Sequence, residues 1–125
     1  SEMCIRDRAM TNALYEAGIN IWGSVTNDGA EYGINRMVVS DPDKAKEVLT
    51  EKGYLCRFVD VLAVEIEDKP GALNTLLTAL LDSNVNVDYT YLSFNRDSST
   101  PVMILHTADP EEVEICLRAK GFKMV

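Results

Sequence analysis

The sequence predicts an α+β chain built from two tandem βαββαβ repeats, and three observations carry that reading. Ala13-Leu14-Tyr15-Glu16-Ala17-Gly18-Ile19-Asn20-Ile21 aligns with Ala79-Leu80-Leu81-Asp82-Ser83-Asn84-Val85-Asn86-Val87, an offset of 66 residues as from Ala13 to Ala79. Asp41-Pro42-Asp43 matches Asp109-Pro110-Glu111, and Gly53-Tyr54 matches Gly121-Phe122, at an offset of 68 residues as from Gly53 to Gly121. Within each copy the hydrophobic period switches between helix-like and strand-like spacing in the same order. The second copy is therefore two residues longer between the two blocks.

Taken in chain order, Ser1-Glu2-Met3-Cys4-Ile5-Arg6-Asp7-Arg8 fits neither a signal peptide, which needs an apolar run after its basic end, nor the periodicity downstream. Residues 1–8 resemble translated library-adapter sequence and are read as a foreign segment. The first repeat, 9–60, then supplies a helix from Met10 to Glu16 and a strand from Ile19 to Thr26. A turn at Asn27-Asp28-Gly29 leads to a strand from Tyr32 to Val39, a helix from Asp43 to Lys52 and a strand from Tyr54 to Val59. Carrying the offset of 66 backwards, the loop Asp68-Lys69-Pro70-Gly71 should recur at 2–5, where Glu2-Met3-Cys4-Ile5 stands instead. The first repeat is thus expected to lack its opening strand and loop, as in an N-terminally truncated chain. Because that strand is central in such a sheet, the repeat is expected to be poorly ordered or patched by another chain.

The second repeat, 61–125, opens with the apolar strand Val61-Leu62-Ala63-Val64-Glu65-Ile66, closed by Glu67-Asp68-Lys69-Pro70-Gly71. Leu73, Leu76, Leu77, Leu80 and Leu81 recur at spacings of three and four, a core-facing helix that ends near Asn84. Val85, Val87, Tyr89 and Tyr91 alternate with polar residues as a half-buried strand does, and Asn95-Arg96-Asp97-Ser98-Ser99 turns the chain toward a partner strand at Val102 to His106. Asp109-Pro110-Glu111-Glu112 starts a helix with carboxylates at the positive end of its dipole. Val113, Ile115 or Cys116, and Leu117 carry its apolar side to a stop at Gly121, and Phe122 to Val125 begins the last strand.

Composition narrows the function classes. Hydrophobic residues make up 46% and charged residues 26%, so a packed core is within reach and disorder is not indicated. Twenty acidic against twelve basic residues, a net charge of −8, would repel a phosphate backbone, which excludes nucleic acid as the expected partner. No apolar run approaches the roughly 20 residues of a membrane span, so no membrane role is expected and the chain is read as cytoplasmic. Cys4, Cys56 and Cys116 are odd in number, scattered and without CxxC spacing, so they are read as reduced thiols, with Cys56 and Cys116 packing in the core. His106 is the only histidine and has no nucleophile or carboxylate at a catalytic spacing, and no phosphate loop, zinc or calcium motif occurs. An enzyme is not expected, nor a cofactor or metal.

A βαββαβ order with both helices on one face of an antiparallel sheet is a ferredoxin-like sandwich, a fold that hosts many functions. Asp68-Lys69-Pro70-Gly71-Ala72-Leu73 after a strand, followed by Val85-Asn86-Val87 opening the next one, resembles the ACT family. The first copy keeps Gly18-Ile19-Asn20-Ile21 from the same signature, and the resemblance covers 9–125. The resemblance implies a stand-alone bacterial tandem ACT protein, regulatory and allosteric, that binds a free amino acid between two ACT modules. It further implies that the ligand sits against Asp68, Lys69, Pro70, Gly71, Ala72 and Leu73. Asn20 of the first repeat, or Asn86 from another subunit, would reach across to it.

The physical reading of those residues agrees. Gly71 lets the backbone approach a ligand closely, the amides at the helix start can hold a carboxylate, and Asp68 can accept a bond from an α-ammonium group. An asparagine amide offers both a donor and an acceptor. Asp68 is equally an ordinary helix N-cap, and Asn20 and Asn86 are ordinary strand-end residues. A homo-oligomer, a dimer, is expected. The alternatives are a module that oligomerises without ligand and the regulatory part of a larger amino-acid biosynthetic enzyme.

Overall fold

A computed structural model describes residues 2–28, 33–95, 97–98 and 100–125. The chain divides into two compact units, Ser1–Val59 and Asp60–Val125. In chain order the elements are α1 (Glu2–Glu16), β1 (Ile21–Asp28), β2 (Gly33–Val39), α2 (Pro42–Glu51), β3 (Leu62–Glu65), α3 (Ala72–Asp82), β4 (Tyr89–Phe94), β5 (Pro101–His106) and α4 (Pro110–Ala119). Gly29, Tyr32, Arg96 and Ser99, which fall in the expected hairpins, lie outside the described residues.

The second unit realises the expected sandwich. Its antiparallel sheet runs β3-β5-β4, and Met124 bridges Val64 on the far side of β3. The Glu65 amide donates to the Lys123 carbonyl and the Val125 amide to that of Ala63, both at 2.9 Å, so the chain end forms the fourth strand position. Along β3 and β5, alternate residues share a face. Leu62, Val64, Met103 and Leu105 pack with Leu76 and Leu80 of α3 and with Val113 and Leu117 of α4 in one core. Both helices therefore cover the same face of the sheet.

The apolar arc of α3 is wider than the sheet can cover. At about 100° per residue, Leu73, Leu77 and Leu81 stand roughly 40°, 80° and 120° round from the line through Leu76 and Leu80. Exposure rises in that order, 43%, 45% and 77%, whereas Leu76 and Leu80 are buried. The expectation of a five-leucine core face is thus corrected to two core leucines and an exposed stripe. On α4 the same geometry decides the open alternative: Cys116 is half-buried and donates to Ser83 Oγ at 2.9 Å, while Ile115 is exposed.

The first unit repeats the second down to individual bonds. The Ile19 amide donates to Leu14 O as that of Val85 does to Leu80 O, and the Tyr54 amide to Leu49 O as that of Phe122 does to Leu117 O. Gly18 and Asn84 occupy the same helix-ending position with φ of 76° and 56°. Asparagine is the side chain that best tolerates this left-handed geometry. The core gathers Met10, Ala13, Leu14, Ile19, Val39, Ala45 and Leu49.

Two expectations for the first unit are corrected. Helix α1 begins at Glu2, not at Met10. Asp7, inside the segment read as foreign, accepts a hydrogen bond from Thr26 Oγ1 at 2.8 Å, and Asn35 Nδ2 donates to Thr26 Oγ1 at 2.7 Å. Tertiary polar contacts hold a stretch that shows no apolar period. The strand expected at Tyr54–Val59 does not form. In the second unit the matching segment pairs with β3, and among the described residues the sheet of the first unit contains only β1 and β2. Without that neighbour the segment has no ladder to join.

Candidate functional site

The loop between β3 and α3 is shaped by its own backbone. After β3 the chain turns through Asp68, Lys69 and Pro70, with the Lys69 amide donating to Glu67 O at 3.0 Å and the Ala72 amide to Lys69 O at 3.3 Å. Gly71 is the N-cap of α3, with φ of 87°. That conformation is open to glycine and strained for residues with a Cβ. Asp68 does not cap the helix, as was one expectation for it. No side chain caps α3, its first turn carries no acidic residue, and Thr75 Oγ1 donates to Gly71 O at 3.0 Å.

The consequence is an exposed helix start whose Leu73 and Asn74 amides have no side-chain cap, at the positive end of the helix dipole. Asp68, Lys69, Pro70, Gly71 and Leu73 are all exposed and Ala72 half-buried, and Lys69 is ion-paired with Glu67. An anion is favoured at the amides and a cation at the Asp68 carboxylate, within one short loop.

Asn20 sits just before β1, its amide donating to Ser40 Oγ and its carbonyl accepting the Ser40 amide, both at 2.9 Å. Its side chain is exposed, as is that of Asn86, three residues before β4. Trp22 stands at a register shift in β1 between Ile21 and Gly23. His106 Nδ1 lies 2.8 Å from Asp88 Oδ2, and its ring stacks on Tyr89 at 4.8 Å and 3°. That pair locks a strand end and carries no nucleophile.

A family model described as an ACT domain pair matches residues 7–124. The chain belongs to that family. ACT domains are regulatory, non-catalytic modules that commonly bind small-molecule ligands and oligomerise. A crystal structure of protein BT0572 from Bacteroides thetaiotaomicron is similar to this ACT pair, with a TM-score of 0.82 and 25% identity over 94% of this chain and 81% of that one. Comparison with curated proteins finds no match.

Two features of this ACT pair escaped the sequence reading. The exposed stripe Leu73, Leu77 and Leu81 has the spacing of a core face, because periodicity reports the width of an apolar arc and not what covers it. A shallow open depression beside α2 is lined by Asp43, Lys46, Glu47, Thr50, Glu51 and Phe58, with the Lys46 ammonium 4.8 Å from the Phe58 ring centre. It lies on the outer surface of the first unit, and no sequence motif marks it. Among the described residues no cluster of metal-ligating side chains occurs, and no helix is long and apolar enough to cross a membrane.

Proposed function

We propose that this ACT pair is a regulatory protein that binds a free amino acid at the Asp68–Leu73 loop of its second repeat. The observation that carries the reading is the uncapped start of α3 behind the left-handed Gly71, with the Asp68 carboxylate in the same loop. An α-carboxylate is held by helix amides and an α-ammonium by a carboxylate, so the loop offers both halves of the amino-acid backbone. An asparagine amide from a second copy of the chain, Asn20 or Asn86, is the further polar contact in this reading.

A ligand that binds only the folded state stabilises it, by about 2.7 kcal/mol at one hundred times its Kd. Thermal unfolding of the chain with each proteinogenic amino acid at millimolar concentration should show at least one raised Tm. Asp68→Ala should abolish that rise, and Asn20→Ala or Asn86→Ala should reduce it. If no amino acid raises Tm, or if Asp68→Ala leaves the rise intact, the reading fails. The exposed leucine stripe on α3 favours a second reading, a module that associates without ligand. It predicts sedimentation behaviour indifferent to any amino acid.

A further inference from the structure

The helix layer of the second unit leaves one side of its sheet uncovered. In the order β3-β5-β4, α3 leads from β3 to β4 and so crosses above β5, whereas α4 leads from β5 to the chain end beyond β3 and crosses above β3. Helix α3 is therefore the one nearer β4, which ends the sheet among the described residues. Leu92 pairs with Met103 and Phe94 with Pro101, and cross-strand partners share a face. Met103 belongs to the core beneath the helices, so Leu92 and Phe94 point to the helix side as well, yet both are exposed.

The flank of α3 on that side is apolar and uncharged. Ser83, which meets Cys116 of α4, lies about 40° round the helix on one side of the Leu76–Leu80 line, and Leu73, Leu77 and Leu81 lie on the other. The leucine stripe thus turns away from α4, toward the uncovered β4. Helices α1, α2 and α4 carry charges of both signs, whereas α3 has none before Asp82. The other exposed residues along the stripe, Asn74, Thr75 and Thr78, are neutral too.

We propose that this surface, Leu73, Leu77 and Leu81 of α3 with Leu92 and Phe94 of β4, is where a second copy of the chain docks. Two features select that occupant. Each copy carries a net charge of −8, so two copies repel wherever charged faces meet and approach at least cost through an uncharged one. The stripe is also complementary to itself: Leu73 and Leu81 stand four residues, about 6 Å, to either side of Leu77. A two-fold axis through Leu77 sets antiparallel α3 helices side by side, with Leu73 of each copy against Leu81 of the other. The same symmetry brings Asp82 of one copy level with Ala72 of the other, where the uncapped helix start favours a carboxylate. Five side chains bury less than the roughly 800 Å² per partner of a standard interface, so the dimer is weak and forms at high concentration. It needs no ligand in the Asp68–Leu73 loop.

The test is sedimentation equilibrium of the full chain up to millimolar concentration, beside the variants Leu77→Lys, Leu81→Lys and Ile115→Lys. All three replace an exposed apolar residue by the same charge, but Ile115 lies on α4, outside the surface. The expected result is a monomer–dimer equilibrium that tightens as salt screens the like net charges. Its dissociation constant should rise tenfold or more in Leu77→Lys and Leu81→Lys and stay within twofold in Ile115→Lys. A chain that remains monomeric throughout overturns the proposal, as does a dimer that Leu77→Lys and Leu81→Lys leave intact or that Ile115→Lys weakens equally. Association that weakens with salt would also overturn it, since ion pairs and not the uncharged flank would then hold the copies together.

Discussion

At the scale of single residues, Gly71 does the most with the least. Its φ of 87° turns the chain from the Asp68 loop into α3, and a Cβ there meets no neighbouring atom. The cost of Gly71→Ala is therefore conformational alone, about 1 kcal/mol. Urea unfolding should show a midpoint lowered accordingly, with an unchanged slope. A larger loss would mean that the loop backbone is held by more than its own turns. The residue scale is also where sequence reading was strongest for the site: proline and glycine after an apolar strand mark the loop without any structure. What it could not decide is which residue caps the helix, because Asp68 and Gly71 both have the chemistry and only the backbone path chooses.

At the scale of elements, the matched helices α2 and α4 offer a controlled comparison. Both begin Asp-Pro, yet Asp41 Oδ1 accepts the Lys44 amide at 3.2 Å whereas Asp109 makes no such bond. Asp41→Ala should therefore cost about 1 kcal/mol, as loss of an N-cap does, and Asp109→Ala distinctly less. Equal losses in the two variants, measured by thermal unfolding, would refute the assignment. Among the described residues, seven of nine elements were legible as periodic runs close to their observed bounds. The exceptions share a cause. Residues 2–8 join α1 without an apolar stripe, and Val85 to Val87 pack against the core but stay outside β4, whose ladder begins at Tyr89. Tyr54–Val59 has the composition of a strand but pairs with no strand among the described residues. Local pattern states what a segment can become, and tertiary neighbours decide whether it does.

At the scale of the whole molecule, the two units differ in how completely their sheets are built. Backbone bonds in a strand flanked on both sides open less readily than those at an edge. Amides of β3 and β5 should exchange with solvent more slowly than those of β2, and equal protection factors in the two sheets would contradict this. The repeat offsets read from sequence carry straight into the ladders, which is why the fold was legible at this scale. The step from 66 to 68 falls between the paired strands, where four residues separate Asp28 from Gly33 and six separate Phe94 from Pro101. Closing a slightly longer hairpin costs little entropy, whereas one extra residue inside a strand would turn every following side chain over. Hairpin length is thus the dimension in which these repeats are free to diverge, and an epitope or fluorophore grafted between Asn95 and Thr100 would leave the pairing of both sheets untouched.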